Sequence, residues 1–180
     1  MEGILLLLVI IFYVFLRIAF SFRPNPIKKD KRKFAIGLQM LHNREYTEAI
    51  LFFDDALAQA PKSVIALLAR AQCHLHTHEY VFALADAVRA TTQDDHLPEA
   101  YMIKGKALYK MGNFAHALVE FNKAAWYDRD NAEPICWRGL THHRLGQPQL
   151  ATAALHQAKA MGDENAAFYL LQQDNIPSWV

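Results

Sequence analysis

The chain has 180 residues, 53% of them hydrophobic, with 19 basic and 18 acidic residues and a formal net charge of +1. That length suits one compact domain with an appendage, and the near-neutral charge excludes a chain-wide basic footprint for nucleic acid. Two cysteines, Cys73 and Cys136, have no CxxC spacing, which argues against a disulfide framework or a zinc ribbon.

Residues 3–22 open the chain with an almost uncharged run whose only charge, Arg17, stands near its end. As a helix, 19 such residues extend roughly 28 Å, close to the thickness of a bilayer's hydrocarbon core. A cleaved signal peptide would begin with basic residues; here the start is Met-Glu-Gly, and the bases follow the apolar run. The segment therefore reads as a retained transmembrane anchor. Seven bases, Arg17, Arg23, Lys28, Lys29, Lys31, Arg32 and Lys33, cluster around its C-terminal side and leave 12 basic and 16 acidic residues over 34–180. Bases flanking a span favour the cytoplasmic side. The expected layout is a single-pass membrane protein, N-terminus out, with the rest cytoplasmic, most simply at a bacterial inner membrane. Pro24 and Pro26 interrupt helix, so residues 23–29 read as a basic juxtamembrane hinge.

From residue 30 the chain repeats every 34 residues, in blocks 30–63, 64–97, 98–131 and 132–165. Block position 8 holds Gly37, Ala71, Gly105 and Gly139; position 20 holds Ala49, Ala83, Ala117 and Ala151; position 27 holds Ala56, Ala90, Ala124 and Ala158. Position 17 holds Tyr46, Tyr80, Phe114 and Pro148, and position 24 holds Phe53, Ala87, Phe121 and Leu155. The pattern predicts two antiparallel helices per block, A over positions 2–14 and B over 18–30, with the small residue at 8 facing the alanine at 20. Pro98, Pro134 and Pro148 mark helix starts. Residues 166–173 are expected to form a last, capping helix, and 174–180 (DNIPSWV) an irregular tail.

These columns, with the turn string Gly112–Leu118 (GNFAHAL) and Pro61, resemble the tetratricopeptide-repeat (TPR) family over about three quarters of the chain. With the expected N-terminal transmembrane helix ahead of it, the resemblance implies an all-α fold, a right-handed α-solenoid of four helix pairs and a capping helix. It also implies a concave groove lined by A-helix positions 2, 5, 9, 12 and 13. Carried onto this chain, the partner-binding residues are Phe34, Leu38 and Leu41; Ile65, Leu68, Gln72 and Leu75; Met102, Lys106, Tyr109 and Lys110; and Leu140, His143 and Arg144. Glu99 and Glu133 occupy position 2, and His42 and His76 position 13. The groove should run from apolar near the membrane to basic and aromatic farther away, fitting an amphipathic protein segment with acids at its distal end. The family's chaperone-tail clamp needs Lys at position 5 and Asn at position 9 of its first repeat; here stand Phe34 and Leu38.

Catalysis has no footing: there is no phosphate loop, nucleophile elbow or HExxH. Adjacent acids such as Asp54-Asp55 and Asp94-Asp95 point about 100° apart on a helix and read as solvated surface. His74, His76 and His78 could suggest zinc, but His74 falls at a packing position and no third ligand continues the spacing; neither metal nor cofactor is expected. The reading is a non-catalytic, membrane-anchored adaptor or assembly factor holding a partner, most simply a membrane-complex subunit, in its groove. The alternative is a constitutive structural subunit whose groove is permanently filled. Self-association through the tail is a third arrangement.

Overall fold

The computed structural model describes Tyr13 and residues 32–172. The expected membrane span at 3–22, the hinge and the tail lie outside the described residues. Among those described, no helix is long and apolar enough to cross a membrane.

Nine helices and no strand occur among the described residues. They are α1 (Ala35–His42), α2 (Tyr46–Gln59), α3 (Val64–His76), α4 (Tyr80–Gln93), α5 (Pro98–Lys110), α6 (Phe114–Tyr127), α7 (Glu133–Arg144), α8 (Pro148–Ala160) and α9 (Glu164–Leu171). Each packs on its chain neighbours, and α3 also touches α1 and α5, so the A helices α1, α3 and α5 stand side by side. This is a stack of helix pairs, in which each pair buries an apolar face against the next.

The turn between A and B helices is the same in every pair. At block position 15 the backbone is left-handed: Arg44 (φ 66°), His78 (φ 63°), Gly112 (φ 79°) and Gly146 (φ 69°). The next residue's N–H reaches back to the carbonyl five residues earlier: Glu45 to Met40, Glu79 to His74, Asn113 to Leu108 and Gln147 to His142, at 2.8–2.9 Å. Such a bond closes the A helix on its orphan carbonyls and reverses the chain. In two repeats a side-chain pair doubles it: His74 Nδ1 lies 2.7 Å from Glu79 Oε2, and His142 Nδ1 lies 2.7 Å from Gln147 Oε1.

The small residues at positions 8, 20 and 27 are all buried. Position 8, expected to face the alanine at position 20, also lies against large side chains of the B helix. A Cβ on Gly37 would fall 2.3 Å from Phe52 and 2.9 Å from Phe53; on Gly105, 2.5 Å from Phe121; on Gly139, 2.8 Å from Leu155. A Cβ on Gly139 would also fall 3.2 Å from the carbonyl of Ala151, at position 20. Position 8 therefore also makes room for a large side chain of the same pair, at position 23 and 24 in repeat 1 and at position 24 in repeats 3 and 4. Repeat 2 has the complementary solution, Ala71 with a small Ala87 at position 24.

A polar ladder joins the helices near the outer side. Arg70 donates from Nε and Nη2 to Asp86 at 2.7 and 2.6 Å, and from Nη1 to Asp54 of the preceding pair at 2.6 Å. One repeat on, Lys104 pairs with Glu120 at 2.9 Å. In the fourth repeat Arg138 donates to Gln157 at 2.9 Å and to Asn122 of the preceding pair at 3.5 Å. All three bases occupy block position 7. Asp54, expected as solvated surface, is thus a rung between repeats 1 and 2.

The last helix starts at Glu164, two residues ahead of the expected 166. Asp163 caps it, accepting the Ala166 N–H at 2.7 Å, and a side-chain oxygen there fixes the first turn.

Candidate functional site

The groove is built by the A helices and the turns that follow them. A cavity of about 730 Å³ opens along it from Leu41, His42, Arg44 and Tyr46, across Gln72, Leu75 and His76, to Met102, Lys106 and Glu133. Two polar bridges cross between neighbouring A helices, each from position 9 to position 2 of the next. Gln72 donates to Glu99 at 2.7 Å, and Lys106 to Glu133 at 2.6 Å. The corresponding positions between repeats 1 and 2 are Leu38 and Ile65, both half-buried against the first core cluster. The inner face thus passes from an apolar seam, through an amide–carboxylate bridge, to an ion pair.

At the apolar end the Tyr46 and His76 rings stack, with centroids 4.5 Å apart and planes 4° apart. Burial, together with the charges of Lys106, Arg44 and nearby His78, pulls the His76 pKa below its ordinary value. The ring is therefore neutral at pH 7, presenting a flat aromatic face and one nitrogen donor. Beyond the cavity, at the end of α7, Arg144 lies 4.8 Å over the Phe114 ring and 6.0 Å from the Tyr109 centroid. Burial, then the charge of Arg144, lowers the Lys110 pKa, and burial raises the Tyr109 phenol to about 12.

Of the expected groove residues, Leu41, Gln72, Leu75, Met102 and Lys106 line the cavity. Lys110 and Arg144 are exposed at the ends of their helices, and His143 is half-exposed. Phe34, Leu68, Tyr109 and Leu140 are core instead. Phe34 is 1% exposed and meets Phe53 edge-on at 6.4 Å; Leu68 belongs to the same cluster. Tyr109 is wedged between Phe114 at 5.1 Å and Trp137 at 5.5 Å, and Leu140 is sealed in that second cluster. The physical reason is close packing of the A helices, which lets large side chains at positions 5, 9 and 12 reach the interior. The apolar strip expected near the membrane is accordingly narrower than its expected residues. Arg44 and Tyr46, at turn positions 15 and 17, wall the cavity without having been expected there. Nothing in the residue type of Arg44 signalled this.

Among the described residues the one group of three side chains close enough to share a cation is Asp94, Asp95 and His96, exposed on the α4–α5 connection and away from the histidines of α3. His74 is packed at 9% exposure.

Two family models match, one described as anaphase-promoting complex, cyclosome, subunit 3, over residues 42–124, and a TPR repeat model over 105–146. The fold of a thermophilic TPR protein from Thermus thermophilus superposes with a TM-score of 0.71, covering 81% of this chain and 82% of that one at 22% identity. The described chain is a tetratricopeptide-repeat solenoid. Among curated TPR proteins, tetratricopeptide repeat protein 28 of Mus musculus is 34% identical over 83 residues, 46% of this chain. The chain spans only 3% of that protein's length. The first TPR domain of Spaghetti, solved with the HSP90 peptide SRMEEVD, shares the fold at 16% identity and a TM-score of 0.58, covering 62% of this chain and 90% of that one.

Proposed function

We propose that this TPR chain is a membrane-anchored, non-catalytic adaptor that holds a segment of another protein in its A-helix groove beside the cytoplasmic face of a membrane. The observation that carries the binding half is the 730 Å³ groove walled by Tyr46–His76 at one end and bridged by Lys106–Glu133 at the other. Concave sites with an apolar floor and a few placed polar groups are where proteins take ligands. The anchoring half rests on the apolar run at 3–22 and the seven bases beside it. The partner we infer is an amphipathic segment, apolar where it meets Leu41 and Leu75 and acidic where it meets Lys110 and Arg144; a subunit of a membrane complex fits the short tether.

A relative's ligand does not transfer directly. An acidic chaperone tail such as the one bound by the Spaghetti domain would meet Phe34 and Leu38 at the first-repeat clamp positions, and Phe34 is buried. The test is a photo-reactive residue placed at His76 in the groove, or at Val81, exposed at the start of α4, in the full chain in its native membrane. A discrete adduct from position 76 alone is expected. No adduct from 76, or the same adducts from both positions, would refute groove binding. Reporter fusions after Val180 test the orientation, and a reporter active only outside the cytoplasm would overturn it.

A further inference from the structure

Helices α5 and α6 form a second cleft, of about 390 Å³, that shares no lining residue with the groove cavity. Tyr101, Val119, Lys123, Trp126 and Tyr127 wall it. Its aromatic floor is layered. The Tyr101 and Tyr127 rings stack with centroids 5.5 Å and planes 9° apart, and the Trp126 indole stands edge-on to Tyr127 at 4.8 Å. Tyr101 is buried, whereas Trp126 is 63% exposed and Val119 beside it 49%. A large aromatic side chain left in water beside a cleft is the mark of a docking surface.

The charge around the cleft indicates what fits it. At its inner end the bases are already matched: Lys104 and Lys123 lie 5.3 and 5.4 Å from the Tyr101 centroid, and both pair with Glu120, at 2.9 and 3.4 Å. At its other end the border is acidic. The Tyr101 hydroxyl donates to the Asp95 carbonyl at 2.9 Å, and the His96 ring meets Tyr127 edge-on at 5.3 Å, so the α4–α5 connection adjoins the aromatic floor. That connection and the next, residues 94–97 and 128–132, hold Asp94, Asp95, Asp128 and Asp130 against one base, Arg129. The Asp95 side chain is 73% exposed and meets His96 at 2.6 Å, and a carboxylate has lone pairs for further donors. An open indole beside such carboxylates is complementary to a guanidinium, which stacks flat on an aromatic face and donates to a carboxylate in a fixed fork. The same negative charge disfavours nucleic acid and an anionic bilayer.

We propose that this cleft docks an arginine-bearing segment of a partner protein, one guanidinium lying on the Trp126 indole and a neighbouring one pairing with Asp94 and Asp95. It is a second interaction surface, and it stands whether or not the A-helix groove holds a ligand.

The probe is a fluorescein-labelled, amidated peptide of alternating arginine pairs and glycines, and its binding to the full chain in detergent is followed by anisotropy at about 0.15 M salt. Trp126→Ala should weaken binding by about fivefold or more, with Trp126→Phe in between. Asp94→Asn/Asp95→Asn, which keeps the side-chain oxygen that accepts the His96 N–H, should weaken it by about threefold. Glu48→Gln/Asp55→Asn removes the same charge from exposed positions of α2 and should change nothing. A lysine peptide should bind more weakly than the arginine one, and a citrulline peptide not at all. These two comparisons use the unaltered chain, so they hold even if a variant folds poorly. No binding of the arginine peptide, equal binding by Trp126→Ala, an equal loss from the α2 pair, or equal affinity for the lysine peptide would overturn the proposal. So would a chain that is dimeric by light scattering and monomeric as Trp126→Ala, since a second copy would then cover the indole. Indole quenching by brominated lipid in nanodiscs that Trp126→Ala abolishes would overturn it in favour of the bilayer.

Discussion

Gly105→Ala offers the sharpest test of how the repeat is packed. Replacing a helical glycine by alanine gains about 1 kcal/mol from propensity alone. Here the new methyl would sit 2.5, 2.7 and 2.9 Å from three carbons of the Phe121 ring. The ring must retreat by about 1 Å to restore ordinary contact near 3.5 Å. It has little room: Phe121 is fully buried and stacks on Trp137 at 5.7 Å. Overpacking of a dense core costs about 1–3 kcal/mol, and an overlap this deep belongs at the upper end. The net expectation is a loss of about 1–2 kcal/mol, a fall in Tm of roughly 3–6 °C for a chain of this size.

The sign of the effect should reverse in a second background. Phe121→Ala alone costs about 3–5 kcal/mol through lost burial and the cavity left behind. With the ring gone, the methyl at 105 meets open space, so Gly105→Ala should then stabilise by about 1 kcal/mol. The two changes are thus coupled by about 2–3 kcal/mol, far beyond the additivity expected of independent sites. Repeat 2, with Ala71 and Ala87, already carries the double substitution. Thermal melts followed by circular dichroism on the full chain in detergent would measure all four proteins. If Gly105→Ala is destabilising by the same amount with and without Phe121, the ring is not what the glycine accommodates.

Arg70→Met should cost about 2–3 kcal/mol, because it leaves Asp86 buried with only Arg89 at 3.2 Å. Adding Asp86→Leu should recover most of that loss in denaturant titrations, and no recovery would mean the ion pair is not the cause. At the turns, His78→Gly should raise stability by about 0.5–1 kcal/mol by relieving a left-handed backbone. Gly112→Ala, where a Cβ meets nothing within 4 Å, should lower it by a similar amount through strain alone, and melts that show no opposite shifts would refute the turn argument. His76 is less basic folded than unfolded; its contribution is therefore present above its unfolded pKa near 6.5 and lost as the pH falls through the lower folded value. The stability–pH curve of His76→Gln should be flatter below pH 6.5, and an unchanged curve would count against the partial desolvation of that ring.

Much of the helix order was legible because the packing constraint recurs: a residue that must be small for the pair to close appears every 34 positions, and four coincidences leave little room for chance. The polar ladder recurs in part, with Arg70, Lys104 and Arg138 at position 7 and Asp86 and Glu120 at position 23. It was not legible from residue type, because acids on a helix ordinarily mean solvent, and only the pairing across helices shows Asp86 at 5% exposure. Phe34, Tyr109 and Leu140 were misplaced for the converse reason. A position number assigns a direction, whereas burial depends on how closely the adjacent A helices approach. The left-handed Arg44, beside the groove, could not be recognised from its type, since arginine carries no preference for that backbone.

These positions divide the repeat's labour. Positions 8, 20, 24 and 27 set the spacing within a pair, position 7 bonds it to its neighbours near the outer side, and positions 9 and 2 join successive A helices near the groove. All are answerable to packing, so a change there costs stability before it alters recognition. Position 13, by contrast, holds His42, His76, Lys110 and Arg144, exposed at the ends of successive A helices. None is a member of a core cluster. The succession of side chains at that one position changes the groove from imidazole to permanent cation along the stack while the scaffold beneath stays the same. On the proposed reading of the A-helix face as a binding groove, substitutions at position 13 should change which segment it holds without disturbing the repeat.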